Sequence, residues 1–240
     1  VDPLHMLEIV MMTGGGAGIT PERQGLAPFA IDARYTSADF FTMFDVPMLA
    51  GNGWTKAEDD RHERVVVLAK PLAEKLFGTV QAVGKNVRMD GHDFRVIGVM
   101  ADWRPTPKFF DVNSDRYGAT EQAFLPFTTS RDLDMGRNGS MNCWDAGDDA
   151  QDDPEGETGV NAPSTWLQYW VQLDSPAKAE AYKRYLVNYS DQQRASGRYQ
   201  RPTNVRLRNV MEWLDYRRVV PGDVRLQMWL AFGFLAVCLL

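Results

Sequence analysis

Cysteine and histidine are scarce, two and three residues among 240. Cys143 lies in a polar stretch and Cys238 inside an apolar run, so a disulfide between them would be geometrically odd and both read as free thiols. His5, His62 and His92 are scattered, with no HExxH or other paired-ligand spacing, so none is assigned to a metal. No Gly-Lys-Ser/Thr follows the glycine run Gly14 to Gly18, where Pro21 and Pro28 stand in place of the helix that would hold a phosphate. No GxSxG elbow supplies a nucleophile. Basic residues are also in deficit: 26 Lys and Arg against 32 Asp and Glu leave a net charge of -6, which argues against nucleic-acid binding. The sequence therefore nominates no catalytic, cofactor-binding or metal-binding residue.

Long hydrophobic runs are missing too, with one exception. From Leu226 to Leu240 the only strongly polar residue is Gln227. A helix over this run measures about 22 Å, against about 30 Å of membrane hydrocarbon, so it is too short to span. Trp229 near its start, Gly233 and Ala236 as small packing residues, and the lack of a polar face favour the start of a truncated transmembrane helix over a buried core helix. Asp2, His5 and Glu8 break any signal-peptide pattern, so a tethered chain needs an anchor upstream of Val1. Arg217, Arg218 and Arg225 lie near the entrance of this run.

What is present is a core-forming composition, 44% hydrophobic and 11% aromatic, enough for one large or two small domains. Leu4 to Met12 reads as a strand that the glycines close into a flexible loop. Ala27 to Tyr35 reads as a second strand, with Phe29, Ile31, Ala33 and Tyr35 on one face. Ser37 is placed to cap a short helix ending near Asp45. The β-branched run Arg64 to Ala69, a helix opened by Pro71 and closed by Gly78, and two strands joined at Asp90-Gly91 make a β-α-β-β unit.

Further on, Glu121 to Phe127 reads as a strand and Ser130 to Met135 as a helical turn. Asp145 to Glu157 carries seven acids and no base, which predicts a mobile acidic loop better than a Ca²⁺ site lacking the DxDxDG pattern. Trp166 to Asp174 alternates as a strand, Ser175-Pro176 opens a long helix, and Asn204 to Val210 is expected to be a final strand.

The segments Thr36 to Gly51, Arg64 to Gly78, Ala82 to Trp103 and Phe124 to Phe127 together resemble the periplasmic domain of MacB/FtsX-like ABC transporter permeases. The Leu-Phe-Gly, Val-Gly-Lys and Val-Ile-Gly-Val elements stand in the same order as in that family. The resemblance implies an α+β fold of two subdomains. A discontinuous porter-like part (residues 1–35 and 163–221) would hold an inserted Sabre-like part (residues 36–135), with an acidic insertion at 136–162 and the transmembrane start at 226–240.

It also implies a non-enzymatic role, relaying cytoplasmic ATP hydrolysis to the extracytoplasmic side of the inner membrane. The implied partners are a cytoplasmic ATP-binding subunit or domain, a second permease copy, a periplasmic adaptor protein and the membrane. Asn52 after Gly51, where the family usually has Arg, and the 136–162 insertion depart from the pattern and bear on the choice of adaptor. Two rivals follow from the residues alone. A membrane-tethered sensor or ligand-binding ectodomain would use the Trp166 and Trp170 face, and a hydrolase would use His92-Asp93 with an exposed nucleophile within reach.

Overall fold

A computed structural model describes residues 8–139, 141–143, 164–198 and 202–238. They form two compact units: residues up to Arg104 with Ala119–Asp174, and Pro105–Gly118 with Ser175 onward. The Asp145 to Glu157 stretch lies outside the described residues.

The first unit is built on a mixed sheet. Its strands are β1 (Glu8–Thr20), β2 (Phe29–Thr36), β3 (Met48–Gly51), β4 (Val65–Ala69), β5 (Asn86–Met89), β6 (His92–Met100), β7 (Ala123–Pro126), β8 (Arg137–Asn138) and β11 (Gln168–Gln172). β9 (Asn142–Cys143) and β10 (Ser164–Thr165) pair separately. The main order is β11-β1-β2-β7-β4-β6-β3. The β2-β7 and β4-β6 pairs are parallel, and β11-β1, β1-β2, β4-β7 and β3-β6 are antiparallel.

β5 pairs with both β6 and the end of β1, so the hydrogen bonding closes through β1, β2, β7, β4, β6 and β5. The expected subdomain boundary at Thr36 does not interrupt this sheet. β1 and β2, on the porter-like side, pair with β5 and β7 on the Sabre-like side.

The core follows from the sheet. Ile19, Ile31, Ala33, Tyr35, Val66, Leu68, Phe94, Val96 and Leu125 are all at most 5% exposed and form one cluster. Helix α3 (Lys70–Phe77) lays Leu72, Ala73 and Leu76 on it, with Pro at its first turn and Gly78 closing it at φ 71°. The β5-β6 turn takes positive φ at both Asp90 (48°) and Gly91 (82°), which is what the Asp-Gly pair supplies.

Shorter helices complete the unit: α1 (Phe40–Met43), α2 (Lys56–Asp60) and α4 (Phe127–Asp132). Asp39, not Ser37, stands at the N-cap of α1. Ser37 ties the loop to β1 instead, donating to the Ile9 carbonyl at 3.0 Å and accepting from Met11 N at 3.2 Å.

Two other expectations are corrected. The glycines Gly14, Gly15, Gly16 and Gly18 belong to a continuous 13-residue strand, β1, and do not form a loop. Residues 204–209 take no strand, because no sheet edge accepts them. An Asn209-Glu212 capping box starts helix α6 (Val210–Tyr216) at once.

The second unit also holds α5 (Pro176–Ala195), capped by Ser175 Oγ accepting from Lys178 N at 3.3 Å, and α7 (Gly222–Cys238).

Candidate functional site

The glycines of β1 are required by what lies across them. A methyl on Gly15 would fall inside the Tyr35 ring, 2.7 Å from its hydroxyl oxygen, and one on Gly14 would overlap the Asn138 side chain. The bare backbone lets the segment after α4 strap over β1 as β8, pairing Gly14 with Asn138 and Gly15 with Arg137. The Tyr35 hydroxyl donates to the Gly136 carbonyl at 2.9 Å with the Gly16 carbonyl at 3.1 Å, and burial pushes its pKa up. Asn138 Nδ2 donates to the Gly15 carbonyl at 2.9 Å. Close approach of backbone and ring, not flexibility, is the reason for the glycine run.

Beside the strap runs an open groove lined by Gly16, Gly18, Ile31, Asp90, His92 and Met135 among others. His92, Asp90 and Asp134 all line it, but among the described residues no serine, threonine, cysteine or lysine does. Asp93 is paired to Arg88 at 3.2 Å. The geometry therefore gives the His92-Asp93 pair no partner nucleophile in this groove. His62 reaches the Asp132 carboxylate and fastens the end of α2 to α4. Among the described residues no cluster of His, Cys, Asp and Glu could hold a metal ion.

The aromatic face nominated for ligand binding is taken up by packing. Trp166 stacks on Phe127 with ring centroids 5.9 Å apart, and the guanidinium groups of Arg131 and Arg137 each lie 5.4 Å from its ring. Trp170 meets Phe44 edge-on at 5.9 Å. Phe40, Phe41, Trp54, Trp103 and Phe124 form a further edge-to-face cluster.

Two charged groups inside this unit are not signalled by the sequence. Arg34, fully buried on β2, pairs with Glu121 and donates to Gln168 Oε1 at 2.9 Å, joining β2, the approach to β7, and β11. Its position alternates with the apolar face of β2, and the signal for it would have been a charge on a strand covered on both faces.

Asp59, at the end of α2, accepts from Ala38 N at 2.7 Å, and its carboxyl is pushed up to about 6, first by burial and then by nearby Asp39. The Ala38 N–H and the Trp54 side chain favour the charged carboxylate and offset part of that rise.

In the second unit the chain passes from α6 to α7. Asp215 pairs with Arg225 across the connection, Tyr117 Oη donates to the Val219 carbonyl at 3.0 Å, and Trp213 Nε1 donates to the Phe109 carbonyl at 3.2 Å. α7 buries none of its residues, with Trp229 and Phe234 about three-quarters exposed, and it has no polar face. That exposure is not the burial of a core helix. No helix among the described residues is long and apolar enough to cross a membrane. Cys238 is an exposed free thiol.

The chain is similar to known proteins. The model for the MacB-like periplasmic core domain matches residues 7–189. The Pyoverdine export ATP-binding/permease protein PvdT of Pseudomonas aeruginosa is 26% identical over 99 residues, which are 41% of this chain. The chain spans only 15% of the length of that curated relative. Several solved structures are similar, two of them as follows. The periplasmic region of MacB from Actinobacillus actinomycetemcomitans has a TM-score of 0.47 at 14% identity, covering 83% of this chain and 78% of that one. The extracellular domain of the ABC-type transporter YknZ from Gram-positive bacteria has a TM-score of 0.46 at 16% identity, covering 78% of this chain and 77% of that one.

Proposed function

Because the chain belongs to the MacB-like periplasmic core domain family, a family of permease domains and not of catalysts, we propose that it is the extracytoplasmic domain of an ABC transporter permease that relays conformational change and performs no chemistry. The family match over residues 7–189 carries this reading. The wholly exposed apolar surface of α7 is consistent with a membrane-facing part.

In this reading the domain lies outside the inner membrane. A cytoplasmic ATP-binding subunit or domain hydrolyses ATP, the permease acts as a dimer, and a periplasmic adaptor protein is a further candidate partner. α7 enters the bilayer, and the short α6-α7 connection, pinned by Asp215-Arg225 and by Tyr117 on Val219, passes motion between the membrane and the domain.

The test is to lengthen that connection in the intact transporter. A flexible Gly-Ser insertion of about six residues between Val220 and Pro221 dissipates force while leaving both ends folded. Basal ATP hydrolysis is expected to persist while transport is lost. Transport at the unmodified rate would refute the relay.

A further inference from the structure

Resting on the reading of α7 as the membrane-entering helix, we propose that the segment just before it, Arg206 to Arg218, is a docking surface for the anionic head groups of membrane phospholipids.

The first observation is charge. Between Arg206 and Arg225 the chain places Arg206, Arg208, Arg217, Arg218 and Arg225 against Glu212, Asp215 and Asp223, a local positive excess in a chain of net charge -6. The acids are partly committed: Glu212 Oε2 accepts from Asn209 N at 3.1 Å in the α6 cap, and Asp215 pairs with Arg225. Arg206, Arg208, Arg217 and Arg218 have no carboxylate partner among the described residues.

The second observation is how these arginines are held. Arg208 lies over the Tyr216 ring at 3.8 Å, with Arg206 at 6.0 Å from the same ring, and Arg217 lies over Trp213 at 5.4 Å. A guanidinium against an aromatic face is orientated by the ring and keeps N–H groups for a phosphate to accept from; Arg206 gives its Nε to Asn204 Oδ1 at 3.2 Å and the Nε of Arg217 is buried, so in these two the terminal nitrogens face the ligand. Trp213 is itself anchored through its indole N–H to the Phe109 carbonyl.

The third is position. Met211 is 73% exposed and Tyr216 50%, and a few residues later α7 is apolar on every side. Cationic, aromatic and apolar groups thus follow one another along a single stretch, the order met on passing from water through the head groups into hydrocarbon. Continuity with α7 selects a lipid phosphate over an acidic protein as the occupant.

The test is co-flotation of the whole chain with phosphatidylcholine vesicles and with vesicles containing about 30% phosphatidylglycerol. Each arginine at an anionic surface adds about five-fold to partitioning, so the chain is expected to prefer the anionic vesicles by well over ten-fold, and the preference to shrink in high salt. The variant R206Q/R208Q/R218Q is expected to lose that preference while binding phosphatidylcholine as before. Equal binding to both vesicles, or a preference the variant keeps, overturns the proposal.

The variant F232D/F234D separates this from the α7 reading. It is expected to abolish binding to phosphatidylcholine, and failure to do so sinks the membrane-helix reading. The arginine-dependent preference is scored independently. Salt-sensitive capture of an acidic protein with no lipid preference would identify the wrong occupant and also overturn the proposal.

Discussion

Replacing Gly15 with alanine tests whether the glycine strand exists to receive Tyr35. In an ordinary strand, Gly→Ala stabilises by about 0.4–1 kcal/mol, because alanine loses less backbone entropy on folding. Here the new methyl would overlap the ring of Tyr35, a residue 2% exposed and packed in the main cluster, so the ring must leave its place. Over-packing of this kind costs about 1–3 kcal/mol, and parting the hydroxyl from the carbonyls of Gly136 and Gly16 adds about 1 kcal/mol.

The net expectation is a loss of about 2–3 kcal/mol, or about 5–10 °C in Tm for a chain of this size. Gly18→Ala is the control, since its methyl would meet only the tip of the Asp90 side chain, at 3.3 Å, with no ring or backbone in the way, and it should change stability by less than about 0.5 kcal/mol. Urea unfolding followed by tryptophan fluorescence gives both values. When Tyr35→Val is already present, Gly15→Ala should cost almost nothing further, because the obstruction is gone. Equal effects at Gly15 and Gly18, or an undiminished cost of Gly15→Ala on top of Tyr35→Val, would refute the steric account.

Two further predictions concern buried charge. Because the Asp59 carboxyl sits near 6 in the folded chain and near 3.8 when unfolded, the folded state holds the proton more tightly between these values. Its contribution to stability is fully present below about pH 4 and is lost as pH rises through 6. Asp59 is partly exposed, so screening reduces the effect to about 1 kcal/mol. Asp59→Asn should remove that slope from a plot of Tm against pH, raising Tm at about pH 7 and leaving it unchanged at about pH 4; an unaltered slope would show that another group titrates. Glu121→Ala should cost about 3–5 kcal/mol in chemical unfolding by stranding the fully buried Arg34, whereas Arg34→Met with Glu121→Met should recover most of it. Equal losses for the single and double changes would mean that the site tolerates no apolar replacement.

The sequence is most legible where structure is decided locally. Arg64 to Ala69, Pro71, Gly78 and Asp90-Gly91 announce strand, helix start, helix end and hairpin from their own chemistry, and each element lies within a residue or two of its expected place. The glycine segment reads as a loop because its use depends on a ring from β2 and a strap more than a hundred residues away, neither visible in a local window. Asn204 to Val210 alternates like a strand but finds no edge to join, and the Asn-x-x-Glu signal at 209–212 is the stronger local cue. In the candidate site, the apolar character of α7 is plain from composition, while the stacking of Arg208 on Tyr216 and the Arg34-Glu121 pair need the fold to bring their partners together.

The pairing of β1 has a consequence for the order of assembly. Along one side this strand meets β11 at Glu8 to Met12, β8 at Gly14 and Gly15, and β5 at Ile19 and Thr20. Those partners emerge from the ribosome only after residues 89, 138 and 172 have been made. The earliest strand of the sheet is therefore among the last to be completed, a high contact-order arrangement that slows folding. While it waits, its four glycines keep its β-propensity low and make it a poor template for pairing with another chain.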